Sequence, residues 1–198
     1  MTVPTRAGLL GHYRDLLREH GDAPESAQFS RAGQLYRFAK LFEIGDLAGR
    51  SVLDVGAGIG DMYPLARGRF PGVRYEGIDG VPEMVAFAAG KYPDVRFRVV
   101  NLLHETVPER YEYVLLSGLF NNAVAEGSFL EPLIERAWEL AERGLGFNFI
   151  STHVNFTQPE MAYHDPAAVL DFCARRLSPK VVLHHHYARC DAAVFAYR

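Results

Sequence analysis

The sequence has only two cysteines, Cys173 and Cys190, in 198 residues. Two are too few for a disulfide framework and fit a reducing, cytoplasmic setting in which both act as small hydrophobes. Long apolar runs are missing too, none approaching the ~20 residues of a membrane-spanning helix. The opening stretch MTVPTRAGLLGHYRDLLREHGD lacks the basic-then-apolar order of a signal peptide and soon turns amphipathic. Charge of either sign is not in excess: the net is −3, and no run of lysine and arginine stands out. Nucleic acid and anionic membranes therefore have no electrostatic basis as partners. Repeats, low-complexity tracts and proline- or serine-rich linkers are also lacking. The chain is expected to form one domain over residues 1–198, monomeric or homodimeric, with a small molecule as its partner.

What is present is an alternation. From Arg50 onward, apolar strand-like runs alternate with helical segments, the pattern of a parallel α/β sheet. Strands are predicted at 51–56, 73–79, 95–101, 111–118 and 144–152, and helices at about 61–69, 82–91 and 128–143. The third connection, LLHETVPER, is short and holds a proline, so it reads as a loop. DPAAVLDFCARRL (165–177) opens with an Asp-Pro helix start, and KVVLHHHYA and DAAVFAYR then read as a terminal hairpin. The expected fold is a Rossmann-like, seven-stranded, mostly parallel sheet with a C-terminal antiparallel hairpin strand. Two amphipathic helices at 5–20 and 30–44, within a cap spanning 1–46, are expected to form a lid over the strand ends of a core at 50–198.

The stretch VLDVGAGIGD (52–61) places three glycines at alternate positions after a strand. In open α/β sheets, ligands bind outside the carboxyl ends of the strands, at the switch point beside the first strand. The dinucleotide fingerprint G-x-G-x-x-G wants a third glycine where this chain has Asp61. Asp54 adds a second carboxylate at the end of the strand. Two carboxylates there would repel a pyrophosphate and favour a ligand carrying an ammonium and a sulfonium. Asp79, at the end of EGID, follows Gly56 at about the ~20-residue spacing at which an acidic residue meets ribose hydroxyls. It also reads as a helix N-cap ahead of VPEMVAFAAG. Asn101 ends the third strand, as an amide for adenine's exocyclic amine or as a turn residue.

Taken together these segments resemble class I S-adenosylmethionine-dependent methyltransferases. VLDVGAGIGD is similar to the family's first motif, YEGIDGVPEM to its acidic ribose-binding motif, and VVNLL to its adenine-side motif with Asn where Asp is common. YEYVLLSGLFNN corresponds to the fourth motif and ERGLGFNFIST to the strand after it. The resemblance covers roughly residues 50–152. It implies S-adenosylmethionine as cofactor, with Asp54, Gly56, Ala57 and Gly58 along its methionine part and Asp79 and Gly80 at the ribose. Asn101 and Leu102 would meet the adenine, and Ser117 and Gly118 the methionine ammonium. GQLYRF (33–38) and YHDPAAVLDFC (163–173) resemble a group of small bacterial methyltransferases. By that likeness Gln34 and Arg37 approach the cofactor, Arg37 as a fork for its carboxylate; its other reading is a solvated helix face.

Methyl transfer from a sulfonium is an in-line displacement, so alignment supplies much of the catalysis and a base helps only where the acceptor loses a proton. The candidates rimming the pocket are Asn121 and Asn122, His153, Tyr163 and His164. His153 is the first choice of base, because histidine titrates near neutrality; a loop histidine without a catalytic role is its other reading. LHHHYA (183–188) puts His184 and His186 on one strand face and His185 on the other. A catalytic zinc usually takes three protein ligands, so no metal is expected. SGLFNN lacks the Asn/Asp-Pro-Pro-aromatic pattern of enzymes that methylate base or amide nitrogens, leaving a small-molecule acceptor for O-, N- or C-methylation. The rivals are a non-catalytic S-adenosylmethionine-binding protein and an NAD-dependent oxidoreductase.

Overall fold

Alternation of faces organises the central strands. In β1 (Ser51–Val55), Val52 packs on one side of the sheet while Leu53 and Val55 pack on the other. In β4 (Tyr111–Leu116), Tyr113 and Leu115 oppose Val114 and Leu116 in the same way. Both faces are buried, which is why these strands read as continuous apolar runs. A computed structural model gives the arrangement for residues 3–27, 30–185, 187–188 and 190–198.

The remaining strands are β2 (Arg74–Asp79), β3 (Arg96–Val99), β5 (Ala141–Ile150), β6 (Val181–His185) and β7 (Asp191–Tyr197). They form one seven-stranded sheet in the order β3-β2-β1-β4-β5-β7-β6. The first five strands are parallel, and β7 is antiparallel to both β5 and β6. The predicted Rossmann-like sheet with its terminal hairpin is therefore the observed one. Chain order reverses between β1 and β4, which opens a crevice at their carboxyl ends.

Helices cover both faces. α5 (Leu130–Leu140) buries Leu133, Ile134, Ala137 and Trp138 against β4 and β5, a stripe at helical spacing. α3 (Met62–Arg69) and α2 (Arg31–Leu41) cover the other face with Met62, Ala66, Phe38 and Leu41. α4 (Pro82–Lys91) follows β2, and α6 (Pro166–Arg176) precedes the hairpin. Caps mark the starts: Thr5 Oγ1 accepts from Gly8 N ahead of α1 (Arg6–His20), and Asp165 accepts from Ala167 N ahead of α6 with Pro166 in its first turn.

The boundary between α5 and β5 departs from the sequence reading in kind, strand replacing helix. LAERG contains good helix formers, yet α5 stops at Leu140 and β5 starts at Ala141. Ala141 pairs with Tyr111, and the ladder then slips before Tyr113 meets Gly144. Sheet pairing and burial of Ala141 override local propensity there. The segment 101–110 between β3 and β4 is a loop, as expected. No described helix is long and apolar enough to cross a membrane.

Candidate functional site

The loop after β1 is stitched to the end of β2. Gly56 N and Ala57 N both donate to Ile78 O (2.8 and 3.0 Å), Gly60 N donates to Ala57 O (2.9 Å), and Gly58 N donates to Asp79 Oδ2 (2.9 Å). Gly56 has φ +76°, and a Cβ there would lie 2.4 Å from the Leu119 side chain, so backbone conformation and contact both require glycine. Asp79 uses its other oxygen, Oδ1, to accept from Val81 N at 2.9 Å. Burial raises its carboxyl pKa, while these backbone donors pull it down.

Above this loop lies a cavity of about 300 Å³. Gly56, Gly58, Asp79, Gly80, Asn101, Leu102, Ser117 and Gly118 all line it, eight of the twelve residues that the sequence nominated for the cofactor. The other four lie outside its wall. Asp54 is buried beneath it, accepts a hydrogen bond from the Tyr75 hydroxyl, and has its carboxyl pushed up to about 7 by burial. Ala57 packs toward Gly77. Gln34 Nε2 donates to Asp61 Oδ2 at 3.1 Å, and Arg37 pairs with the buried Asp191 at 3.1 Å.

Asp61 itself is matched by cations. Lys91 Nζ lies 2.8 Å and Arg31 Nη1 3.7 Å from its carboxylate oxygens, and none of these groups reaches the cavity. The repulsion expected of Asp61 is thus cancelled by partners that approach from α2 and α4.

The lid is α1. Leu9, Leu10 and Tyr13 line the cavity, whereas α2 sinks Phe38 and Leu41 into the core and contributes nothing to the wall. Three bonds fasten α1 to the chain after β4: Asn122 Nδ2 to Tyr13 Oη (2.7 Å), Ala125 N to Pro4 O (2.8 Å) and Arg6 N to Glu126 Oε2 (3.0 Å). Burial raises the Tyr13 pKa strongly, so the phenol keeps its proton.

Asn148 was not legible as a site residue, although a lone amide inside GFNFI was a signal. It is 1% exposed on β5, accepts from Gly118 N at 2.7 Å and donates to Ser117 Oγ at 3.4 Å. It thereby fixes the turn after β4, where Gly118 takes φ +74°. Tyr13 was missed because its partner Asn122 is 109 residues away.

A second cavity of about 270 Å³ adjoins the first and shares Phe129 with it. Asn122, Tyr163 and His164 are in its wall. His164 Nε2 lies 3.0 Å from Phe120 O, and since a carbonyl only accepts, Nε2 carries the proton. Burial lowers the His164 pKa, so the neutral ring keeps Nδ1 as an acceptor. His153 lines neither cavity; its ring packs edge-on against His185 at 5.3 Å. Asn121 is buried beside Asn122. His184 approaches Glu43 at 3.6 Å, His186 lies outside the described residues, and no described cluster of His, Cys, Asp and Glu is arranged to hold a metal ion.

Neither a protein-family model nor a curated protein matches the chain. Solved structures do. Magnesium protoporphyrin IX methyltransferase (ChlM) from Synechocystis PCC 6803 with bound SAH aligns with TM-score 0.70 at 19% identity, over 98% of this chain and 97% of that one. The DhpI-SAM-HEP complex aligns with TM-score 0.74 at 16% identity, over 100% and 99%. A SAM dependent methyltransferase from Aquifex aeolicus aligns with TM-score 0.65 at 17% identity, over 95% and 97%. The chain has the fold of the class I S-adenosylmethionine-dependent methyltransferases.

Proposed function

We propose that this protein is an S-adenosylmethionine-dependent methyltransferase acting on a small-molecule acceptor. The observation that carries the reading is the polarity of the first cavity at the β1–β4 crevice. Its glycine loop has spent the N–H groups of Gly56, Ala57, Gly58 and Gly60 on its own chain, and the carboxylate of Asp79 faces the space instead. Such a wall accepts hydroxyls and cations rather than phosphates.

The residues present fit the cofactor. A Cβ on Gly58 would meet nothing within 4 Å, so its backbone forms a bare floor for the methionine arm. The Asp79 oxygens accept from the backbone N–H groups of Gly58 and Val81 and keep lone-pair capacity for a ribose hydroxyl. Asn101 Oδ1, which accepts from Leu103 N at 3.3 Å, has room for the adenine amine, and Leu102 supplies apolar contact. Ser117 and Gly118, held by Asn148, form the wall opposite the glycine loop. When bound, S-adenosylmethionine supplies an electrophilic methyl on a sulfonium. The chain's part is to orient it, exclude water beneath α1 and present the acceptor.

Thermal unfolding with S-adenosylmethionine, S-adenosylhomocysteine and NAD in parallel tests this. At a hundredfold excess over its dissociation constant, a ligand adds ~2.7 kcal/mol, or roughly 5–10 °C for a chain of this size. The first two are expected to shift the midpoint and NAD to leave it unchanged. A shift with NAD alone refutes the reading.

A further inference from the structure

The second cavity has a composition unlike the first. Its aromatic residues are Phe120, Phe129, Tyr163 and His164, its smaller apolar ones include Val124, and no Asp, Glu, Lys or Arg is among its lining residues. Its polar groups are mostly committed: Tyr163 Oη accepts from Gln158 N at 2.9 Å, Ser128 Oγ accepts from Leu130 N at 3.3 Å, and Asn122 Nδ2 donates to Tyr13. His164 is anchored through its backbone and through one ring nitrogen. Its backbone exchanges hydrogen bonds with Ile150 O and Thr152 N, and its Nε2 faces Phe120 O. What remains on offer is uncharged: the O–H groups of Tyr163 and Ser128 as donors and His164 Nδ1 as an acceptor, among aromatic surfaces. A charged ligand would lose its hydration there without gaining a counter-ion, at a cost that an uncharged one avoids.

The two cavities meet at a defined seam. Phe129 belongs to both walls, and the 2.7 Å hydrogen bond from Asn122 joins the second wall to Tyr13 in the first. From this geometry we infer that the second cavity is the acceptor site, and that it takes an uncharged aromatic small molecule bearing an O–H or N–H directed at His164. The inference rests on the proposed function, in that the cofactor fills the first cavity and the acceptor is left the second.

Calorimetric titration of the S-adenosylhomocysteine-saturated protein with four probes tests it: indole, 1-methylindole, indole-3-carboxylate and tryptamine. They share one ring and differ in charge or in the N–H. Indole is expected to bind at least about tenfold tighter than the anion or the cation, and roughly fivefold tighter than 1-methylindole. Ala123→Trp and Ala162→Trp, at two lining positions, are each expected to abolish indole binding while the midpoint shift with S-adenosylhomocysteine persists. If one variant fails to fold, the other carries the test. Equal or tighter binding of a charged probe, indifference of indole to both variants, or binding of none of the four overturns the inference. The methyltransferase reading fails by a different sign, the absence of any midpoint shift with S-adenosylhomocysteine in the unaltered protein. Indole can then still be titrated without it.

Discussion

Replacing Asn148 with leucine keeps the branching of the native side chain, with two heavy atoms on Cγ, and removes both of its hydrogen bonds to the turn after β4. Gly118 N–H loses its 2.7 Å acceptor in a place that water does not reach, and Ser117 loses a donor. Two net hydrogen bonds at ~1 kcal/mol each, plus ~1–3 kcal/mol for a stranded buried donor and less the apolar gain of leucine, give a destabilisation of about 2–4 kcal/mol. The expected fall in the unfolding midpoint is roughly 5–15 °C. Ser117 and Gly118 line the first cavity, so S-adenosylhomocysteine measured by calorimetry at low temperature is expected to bind more weakly as well. Asn148→Asp sharpens the test. Burial raises the pKa of the new carboxyl, so at pH 5 it is largely protonated and replaces both bonds of the amide. A group with a raised folded pKa contributes its stability at low pH and loses it as pH rises. This variant should therefore lie near the native protein at pH 5 and well below it at pH 8. A leucine variant that melts within about 1 °C of the native protein and binds the ligand equally would refute the claim that Asn148 sets the turn.

Asp54 predicts a second pH effect: its buried carboxyl titrates near about 7 against an ordinary 3.8, so it costs the native state stability as pH rises through that window. Asp54→Asn is expected to be about 1–3 kcal/mol more stable than the native protein at pH 8 and to show no gain near pH 4 in chemical denaturation; equal effects at both pH values would contradict the assignment. Gly56→Ala places a Cβ at positive φ and 2.4 Å from Leu119, and should cost about 2–4 kcal/mol in the same assay. Tyr13→Phe cuts the bond between α1 and Asn122, and should raise the S-adenosylhomocysteine dissociation rate about two- to tenfold in stopped-flow measurements, at a stability cost of about 1–2 kcal/mol for the stranded Asn122 donor. An unchanged rate would mean that α1 is not held as a lid by that bond.

The parts of the fold visible in the sequence are those whose cause is local. Continuous apolar runs, the mark of strands buried on both faces, identified β1 and β4, and Asp165-Pro166 marked the start of α6 within a residue. The glycine loop and Asp79 were legible for the same reason, because a strand end, a positive-φ turn and an acidic residue about twenty positions on leave a pattern in one dimension. Misses came where a distant partner decides. Asn148 reads as an oddity in an apolar strand until Gly118 is placed opposite it, and α5 looks longer than it is until Tyr111 claims Ala141. Arg37 looks like a fork for a carboxylate, and it does meet one, but that carboxylate is Asp191 on β7.

Asp61 shows how a sound conclusion can rest on an unsound cause. Read from the sequence, its charge excludes a pyrophosphate, yet Lys91 and Arg31 match that charge and Asp61 lies outside the cavity wall. Asp54 lies outside the cavity wall and carries less than a full charge at neutral pH, since burial raises its carboxyl to about 7. The feature that disfavours a dinucleotide is the fate of the backbone donors. A phosphate at a helix N-terminus needs N–H groups directed at it. Here the amides of Gly56 and Ala57 are held by Ile78 O, that of Gly60 by Ala57 O and that of Gly58 by Asp79. To receive a pyrophosphate, the loop would have to break those bonds and set the anion beside the Asp79 carboxylate. To receive a ribose and an ammonium, it need break none. The selectivity thus lies in which groups the loop leaves unspent, and the absence of an NAD-induced midpoint shift should persist in Asp61→Asn.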